Sequence, residues 1–302
     1  GILALLIETI WPESSNKGQW VVAVLGLLAA GAAVARQFGM ADGDTMNGLL
    51  IRDRFGLMTQ LLVIGASFMA ILFSEDYLVQ KRIAFAEFYP LALWSAAGAM
   101  TMCATRNLLV AFIGLEVLSI ALYVLSGLSR SEERSEESAM KYFLLGAFAS
   151  GFLLFGTAML YGASGSLHLA EIGRAWSTAD STTQPLFVFG ISLVLIGIGF
   201  KSAFVPFHQW TPDVYQGAPT NVTAFMSVIS KIGAVAMLWR VLEGGVPLMQ
   251  FWLPSLFWIA ILTMTVGNLV ALAQRDVKRI LAYSSISHAG YILVGVLAHF
   301  KA

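Results

Sequence analysis

The chain has 302 residues, 58% of them hydrophobic and only 12% charged, and its 18 basic residues balance 18 acidic ones. A soluble domain carries about a quarter charged residues and one core cannot absorb this much apolar surface, so composition excludes an ordinary water-soluble enzyme and, equally, a disordered chain. Zero formal charge gives no bulk electrostatic case for nucleic acid, and a single cysteine, Cys103, excludes a disulfide scaffold, a four-cysteine zinc site and an iron–sulfur cluster.

A mean hydropathy of +0.76 reads as a membrane protein. A helix that crosses the hydrocarbon needs about 20 mostly apolar residues. Such runs fall at about 20–38, 54–73, 84–104, 107–128, 138–162, 185–205, 219–241, 252–273 and 280–299, which predicts about nine complete spans. The shorter stretch from Ile2 to Ile10 reads as the tail of a clipped helix. Because the chain opens on Gly1 and stops two residues after Phe300, it is expected to be cut at both ends. No basic region and cleavage site of a signal peptide precede the first span.

The connections are short and polar: Trp11–Gln19, Gly39–Asp53, Ser74–Lys81, Ser129–Glu137, His168–Gln184, Glu243–Met249 and Gln274–Arg279. None has room for a soluble nucleotide-binding or redox module, so the expectation is one all-α polytopic transmembrane domain over residues 1–302. Lys17, Lys81, Arg82, Arg130, Arg134, Lys141, Arg275, Lys278 and Arg279 fall on one side of it. Arg36, Arg52, Arg54, Arg106, Arg174, Arg240 and Lys301 fall on the other, which leans towards a cytoplasmic Ser129–Glu137 loop.

Ionisable residues at membrane depth point to function, since an ion at mid-bilayer costs at least about 2.5–3.5 kcal/mol. Glu116 lies mid-span in AFIGLEVLSIALYVL, and the bland alternative is a neutral acid bonded to a neighbouring helix. Lys231 lies mid-span in FMSVISKIGAVAMLW, some 15 Å from either end at about 1.5 Å of rise per residue, too far to snorkel. Its alternative is a structural ion pair.

Lys201 lies five residues before Pro206 in GIGFKSAFVPFHQW, and the proline predicts a helix that breaks near 202–208. Broken helices at membrane depth are common ion sites; the competing reading is a helix end from which Lys201 reaches the headgroups. His208 follows the break, as a proton-handling group or a loop histidine bonded to backbone, and Trp210 and Tyr215 read as interface anchors. His288 shares a helix face with Ser284, as proton relay or as interhelical hydrogen-bond glue. Glu137 and Lys141 form an i, i+4 pair of the solvated, stabilising kind. Gly162, Gly165, Gly197 and Gly199 suit close helix packing better than phosphate binding. A glutamate and two lysines on three spans, with a histidine on a fourth, form a pattern through which a proton moves by hydrogen-bond exchange, whereas a sodium site would favour clustered carboxylates and carbonyls.

The segment GFKSAFVPFHQWTPDVYQGAPTNVTAFMSVISKIG, residues 199–233, resembles the antiporter-like proton-channel subunits of respiratory complex I, in the version of the subunit N (subunit 2) family. FIGLEVLSIALYVLSG, EESAMKYFLLGAFASGFLLFGTAMLYGASGSL and GNLVALAQRDVKRILAYSSISHAGYILVGV carry the same resemblance, which covers most of residues 84–299. The resemblance implies an antiporter-like helix bundle of inverted five-helix repeats, with residues 84–241 as the first repeat and 252–302 as the start of an incomplete second.

It implies that Glu116 matches the family's mid-membrane glutamate, Lys201 the lysine of the broken helix and Lys231 that of the next helix, and that His288 belongs to the central hydrophilic axis. Glu137, Lys141 and His208 stand behind these in proton transfer. The implied working model is a salt-bridge switch in which Glu116 stabilises charged Lys201 and, on separation, the proton leaves by way of Lys231. The family's later broken helix and terminal channel residue have no counterpart before Ala302.

The implied function is a proton-translocating membrane-arm subunit of NADH–quinone oxidoreductase in a bacterial inner membrane; a cation/proton antiporter subunit is the alternative, and a static membrane scaffold a third. No cofactor is expected in this chain, with NADH, FMN, iron–sulfur clusters and quinone in the wider complex. The implied partners are other membrane-arm subunits and the lipid bilayer, and no nucleic acid.

Overall fold

The computed structural model describes residues 1–2, 6, 15–81, 83 and 87–301. Most of the Ile2–Ile10 stretch, Arg82 and the side chain of Lys17 lie outside the described residues. Among the described residues eleven α-helices follow one another: α1 (Ser15–Gln37), α2 (Arg54–Gln80), α3 (Phe88–Cys103), α4 (Leu108–Ser126), α5 (Glu133–Ser164), α6 (Leu169–Ser177), α7 (Gln184–Ser202), α8 (Trp210–Gly217), α9 (Thr220–Gly244), α10 (Met249–Leu272) and α11 (Val277–Lys301). Helices dominate because hydrocarbon offers no partner for backbone N–H and C=O groups, and a helix satisfies them within one segment.

Eight of these helices are long and apolar enough to cross a bilayer. They answer eight of the nine predicted runs. The ninth, 84–104, is the 16-residue α3, and residues 84–86 before it are not described. Phe73, Phe148, Leu269 and Leu272 are each more than three-fifths exposed, an outer surface suited to lipid and not to water.

Several predicted connections carry structure that the sequence reading lacks: Ser74–Gln80 continue α2, because the helix outlasts its apolar run, and Val246–Leu248 form a 3-10 turn. The 39–53 segment holds a small antiparallel hairpin, β1 (Gly43–Thr45) with β2 (Leu50–Arg52), turned through left-handed Met46, Asn47 and Gly48. The 168–184 segment holds α6, which buries Leu169, Ile172 and Gly173 against the end of the bundle. Polar caps mark helix starts: Asp53 accepts from the Gly56 N–H at 2.8 Å, and Asn107 accepts from the Leu109 and Val110 N–H groups at 3.0 and 3.2 Å.

Helix α9 is the hub of the bundle, touching α2, α3, α4 and α7, while α3 packs along α4, α5 along α7 and α10 along α11. The α5–α7 pair is close because Gly156 and Gly190 face each other, and a Cβ on Gly156 would stand 2.6 Å from the Gly190 carbonyl oxygen. Of the four glycines assigned to packing, Gly197 and Gly199 do pack, against Leu153 and Phe207. Gly162 has nothing near it, and Gly165 instead ends α5 in a left-handed cap, because the helix termini need it there more than the packing does.

Four of the basic residues fall on opposite ends of the bundle, as the sequence grouping predicts. Arg106 and Arg240 share partners at one end, and Lys141 and Arg279 share Asp213 at the other.

Candidate functional site: a buried lysine between three helices

The break in the seventh helix starts earlier than its proline. Ala203 adopts a left-handed conformation (φ 62°), which ends α7 one residue after Ser202, and Pro206 then prevents its continuation. Hydrogen bonds hold the break: the Phe204 N–H donates to the Gly199 carbonyl (2.9 Å), the Trp210 indole Nε1–H to the Phe200 carbonyl (2.9 Å), and the Val205 N–H to Thr263 Oγ1 of α10 (3.0 Å). Non-helical backbone at this depth is tolerated because protein surrounds it.

Lys201, in the last turn before the break, is 2% exposed, so the headgroup-reaching reading does not hold. Its ammonium donates to Ser119 Oγ at 2.8 Å and to Tyr142 Oη at 2.9 Å. It stands 5.0 and 5.7 Å from the ring centres of Tyr142 and Tyr123, close enough for cation–π attraction. No carboxylate is within ion-pairing distance of it among the described residues. The direct Glu116–Lys201 salt bridge is therefore not formed in this structure. Glu116 accepts a hydrogen bond from Ser150 of α5 instead.

Three helix faces build this site. Glu116, Ser119 and Tyr123 recur at i, i+3 and i+7 on α4, and Tyr142, Gly146 and Ser150 recur at i, i+4 and i+8 on α5. Gly197 and Lys201, four apart on α7, complete it. Gly146 is required by close approach, since a Cβ there would stand 2.0 Å from the Tyr123 hydroxyl. Gly146→Ala is expected to displace Tyr123 and cost ~1–3 kcal/mol. Gly151→Ala on the same helix, with nothing within 4 Å, is expected to be neutral or slightly stabilising; thermal unfolding of the two purified variants in detergent checks the contrast.

The remaining predicted residues lie elsewhere. The Lys231 ammonium is bonded to the carbonyl and hydroxyl of Ser285. It opens on a largely apolar groove of about 740 Å³ between α2, α9 and α11, lined also by Phe55, Thr59, Lys278, Ser284 and His288. His288 is exposed on that groove, sharing it with Ser284 as the helix spacing predicts. His208 is half-buried in the break, with its Nδ1 unpartnered and its carbonyl accepting from the Thr211 N–H at 3.0 Å. Between the two lysines stands an aromatic stack, and neither Trp210 nor Tyr215 is an interface anchor: both are 2% exposed. Tyr142 stacks on Trp210 at 4.6 Å, and Trp210 meets the edge of Tyr215, which lines the groove beside Lys231.

Glu137 and Lys141 form their expected pair at 2.6 Å, but inside a larger network. Lys141 also reaches Asp213 of α8 at 3.2 Å, and Asp213 pairs with Arg279 of α11 at 2.6 Å. Glu137, Lys141 and Asp213 rim a polar recess of about 180 Å³, and their half-exposed geometry makes each pair weak. A second network was invisible in the sequence. At the opposite end Arg240, 2% exposed, donates to Asp53 at 2.5 and 2.7 Å, and Arg106 joins Glu243 at 3.1 Å.

The chain is similar to known proteins over nearly its whole length. It is 44% identical to NADH-quinone oxidoreductase subunit N of Chloroflexus aggregans, over 97% of this chain and 60% of the relative, and 41% identical to the protein of the same name from Trichlorobacter lovleyi, over the same shares. It thus spans about three-fifths of the length of the curated relatives it matches. Among solved structures it superimposes on a chain of respiratory complex I from Thermus thermophilus with bound aureothin, at a TM-score of 0.82 and 35% identity, covering 98% of this chain and 62% of that one. A chain of the Mrp complex from Dietzia has the same fold at a TM-score of 0.82 and 22% identity, with 98% and 56% covered. The family described as NADH:quinone oxidoreductase/Mrp antiporter, TM, matches residues 105–302, which hold the buried lysine, its three helix faces and the broken helix, and the chain belongs to that family.

Proposed function

We propose that this chain is a proton-translocating membrane-arm subunit of NADH–quinone oxidoreductase, of the subunit N type, in a bacterial inner membrane. The observation that carries the reading is the surroundings of Lys201: an ammonium 2% exposed at a helix break, held by two neutral hydroxyls and two aromatic faces, while the Glu116 carboxylate is bonded to Ser150 of α5 instead. An amine held without a counter-ion at membrane depth is poised to give up its proton, and a carboxylate brought towards it would restore the charge. Glu116 and Lys201 therefore act as the switching pair in our reading, with Lys231 receiving protons on the groove side and His288 beside it. Glu137, Lys141 and His208 have supporting roles, with Glu137 and Lys141 at the polar recess where protons are taken up.

The spans from α3 to α9 correspond to the first antiporter-like repeat, residues 84–241, and α10 and α11 to the start of the second, within one transmembrane domain. Redox chemistry belongs to other subunits, which would hold NADH, FMN, iron–sulfur clusters and quinone. The partners would be neighbouring membrane-arm subunits and lipid.

The test is Lys201→Ala in the full-length chain within its membrane complex, with proton pumping and quinone reduction measured side by side. The expected result is impaired pumping in a complex that still assembles, with quinone turnover slowed where coupling is tight. Intact pumping would overturn the reading, and sodium-dependent transport would move the chain to the antiporter alternative.

A further inference from the structure

The gap between Lys201 and Glu116 is bridged at both ends and open in the middle. Lys201 Nζ donates to Ser119 Oγ on one side, and Ser150 Oγ donates to Glu116 Oε1 on the other. Both bonds point the same way, from the ammonium towards the carboxylate. Between the two serines lies a small cavity of about 10 Å³, lined by Ser119, Ser150 and Lys201 together with Gly197, Ala149 and Leu153. A cavity of about 10–15 Å³ with two to four polar partners is the room one water needs. Ser119, Ser150 and Lys201 are the lining residues that could bond such a water, in a cavity whose wall is otherwise apolar.

We propose that Ser119, a single water in this cavity and Ser150 form the proton relay that joins Lys201 to Glu116. The inference rests on the proton-translocating reading above and assigns the groups that carry the transfer within it. In one step, an N–H bond of the Lys201 ammonium breaks as an O–H bond forms on Ser119. The Ser119 hydroxyl proton passes to the water, a water proton to Ser150, and the Ser150 proton to Glu116 Oε1. Each oxygen ends with the protons it began with, no electrons change hands, and an ammonium–carboxylate pair becomes an amine and a neutral acid.

The same geometry contains a gate. The Ser119 hydroxyl now donates to the Leu115 carbonyl at 2.5 Å, one turn back on its own helix, so its proton points away from the cavity. Conduction requires that hydroxyl proton to swing about the Cβ–Oγ bond towards the water while Oγ stays bonded to Lys201. Held on Leu115, Ser119 accepts from Lys201 but passes nothing on. Rotated, it completes the chain.

The test uses Ser119→Ala, Ser150→Ala and Ser150→Thr in the full-length chain within its membrane complex, alongside Lys201→Ala. Protons pumped per quinone reduced are compared at matched assembly. Ser192→Ala, on the outer face of α7, serves as the control for losing a serine hydroxyl that only bonds its own helix. Ser119→Ala and Ser150→Ala are expected to lose pumping to the extent that Lys201→Ala does. Ser150→Thr, which restores a hydroxyl at the same position, is expected to recover it, as a purely packing role would not. Normal pumping by both alanine variants while Lys201→Ala fails would overturn the relay and leave the translocating reading standing. Normal pumping by Lys201→Ala as well would overturn that reading itself. Should Ser119→Ala not assemble, Ser150→Ala and Ser150→Thr decide alone, because Ser150 is partly exposed and its truncation leaves the packing intact.

Discussion

Arg240→Ala is expected to destabilise the bundle by ~3–5 kcal/mol, the range for removing one partner of a buried ion pair and leaving the other charge uncompensated. The guanidinium donates through two nitrogens to the two oxygens of Asp53 and reaches the Cys103 carbonyl at 3.3 Å, while its plane lies 4.9 Å from the Phe55 ring. Three elements meet on it: the start of α2, the end of α3 and the last turns of α9. Its loss leaves the Asp53 carboxylate, 9% exposed, with the Gly56 N–H at 2.8 Å and Arg106 at 3.7 Å as its partners.

Burial alone would raise the Asp53 carboxyl, but the Arg240 hydrogen bonds, the Gly56 N–H and the charges of Arg240 and Arg106 outweigh it, so the group titrates below the ordinary carboxylate range. A folded-state value below the unfolded one contributes stability that is present above the unfolded value of about 3.9 and is lost as pH falls through the lower folded value. Thermal unfolding in detergent, followed from neutral pH into that acid range, is expected to show the wild-type chain losing this contribution only in strong acid. In Arg240→Ala the contribution falls to what the Gly56 N–H and Arg106 supply. An Asp53→Asn, Arg240→Leu double variant is expected to recover much of the loss, since no orphan charge remains; a double variant as unstable as the single one would count against the ion pair as the cause.

Hydropathy and helical spacing made much of this legible. The spans follow from apolar length, and Ser119 and Tyr123 were readable beside Glu116 as the i+3 and i+7 positions of one helix face. The break near Lys201 was readable from Pro206, although Ala203 ends the helix three residues earlier by turning left-handed, which an alanine does not announce. What stayed hidden depends on which helices meet. Tyr142 and Ser150 join the site only because α5 packs along α7 through Gly156 and Gly190. Asp53 and Arg240 are 187 positions apart, and each alone reads as an ordinary charge at a span's edge. The same dependence explains why the depth-matched Glu116, Lys201 and Lys231 do not share one pocket: depth is written in the sequence, azimuth around the bundle only partly so.

Trp210→Ala is expected to be the most damaging change near the buried lysine. Trp210 is 2% exposed, stacks on Tyr142 at 4.6 Å and on Phe200 at 5.4 Å, and its indole N–H holds the Phe200 carbonyl freed by the helix break. Truncation removes a large buried ring and one of the two hydrogen bonds to that carbonyl, which keeps the Ala203 N–H at 3.0 Å, together a loss of ~3–5 kcal/mol. Trp210→Phe keeps a stacked ring and gives up the N–H, so its cost should be nearer ~1–3 kcal/mol. The separation between the two variants in thermal unfolding measures the stack apart from the hydrogen bond. The stack is also what stands between Lys201 and the groove of Lys231, through Tyr142 on one side and Tyr215 on the other. An alanine there leaves room for water between two ammonium groups that the wild-type packing keeps apart. On the proton-translocating function proposed above, membranes carrying the assembled Trp210→Ala complex are therefore expected to sustain a smaller proton gradient at a given rate of quinone reduction than those carrying Trp210→Phe. Equal gradients in the two would mean that the aromatic stack is structural only and that the barrier between the lysines lies elsewhere.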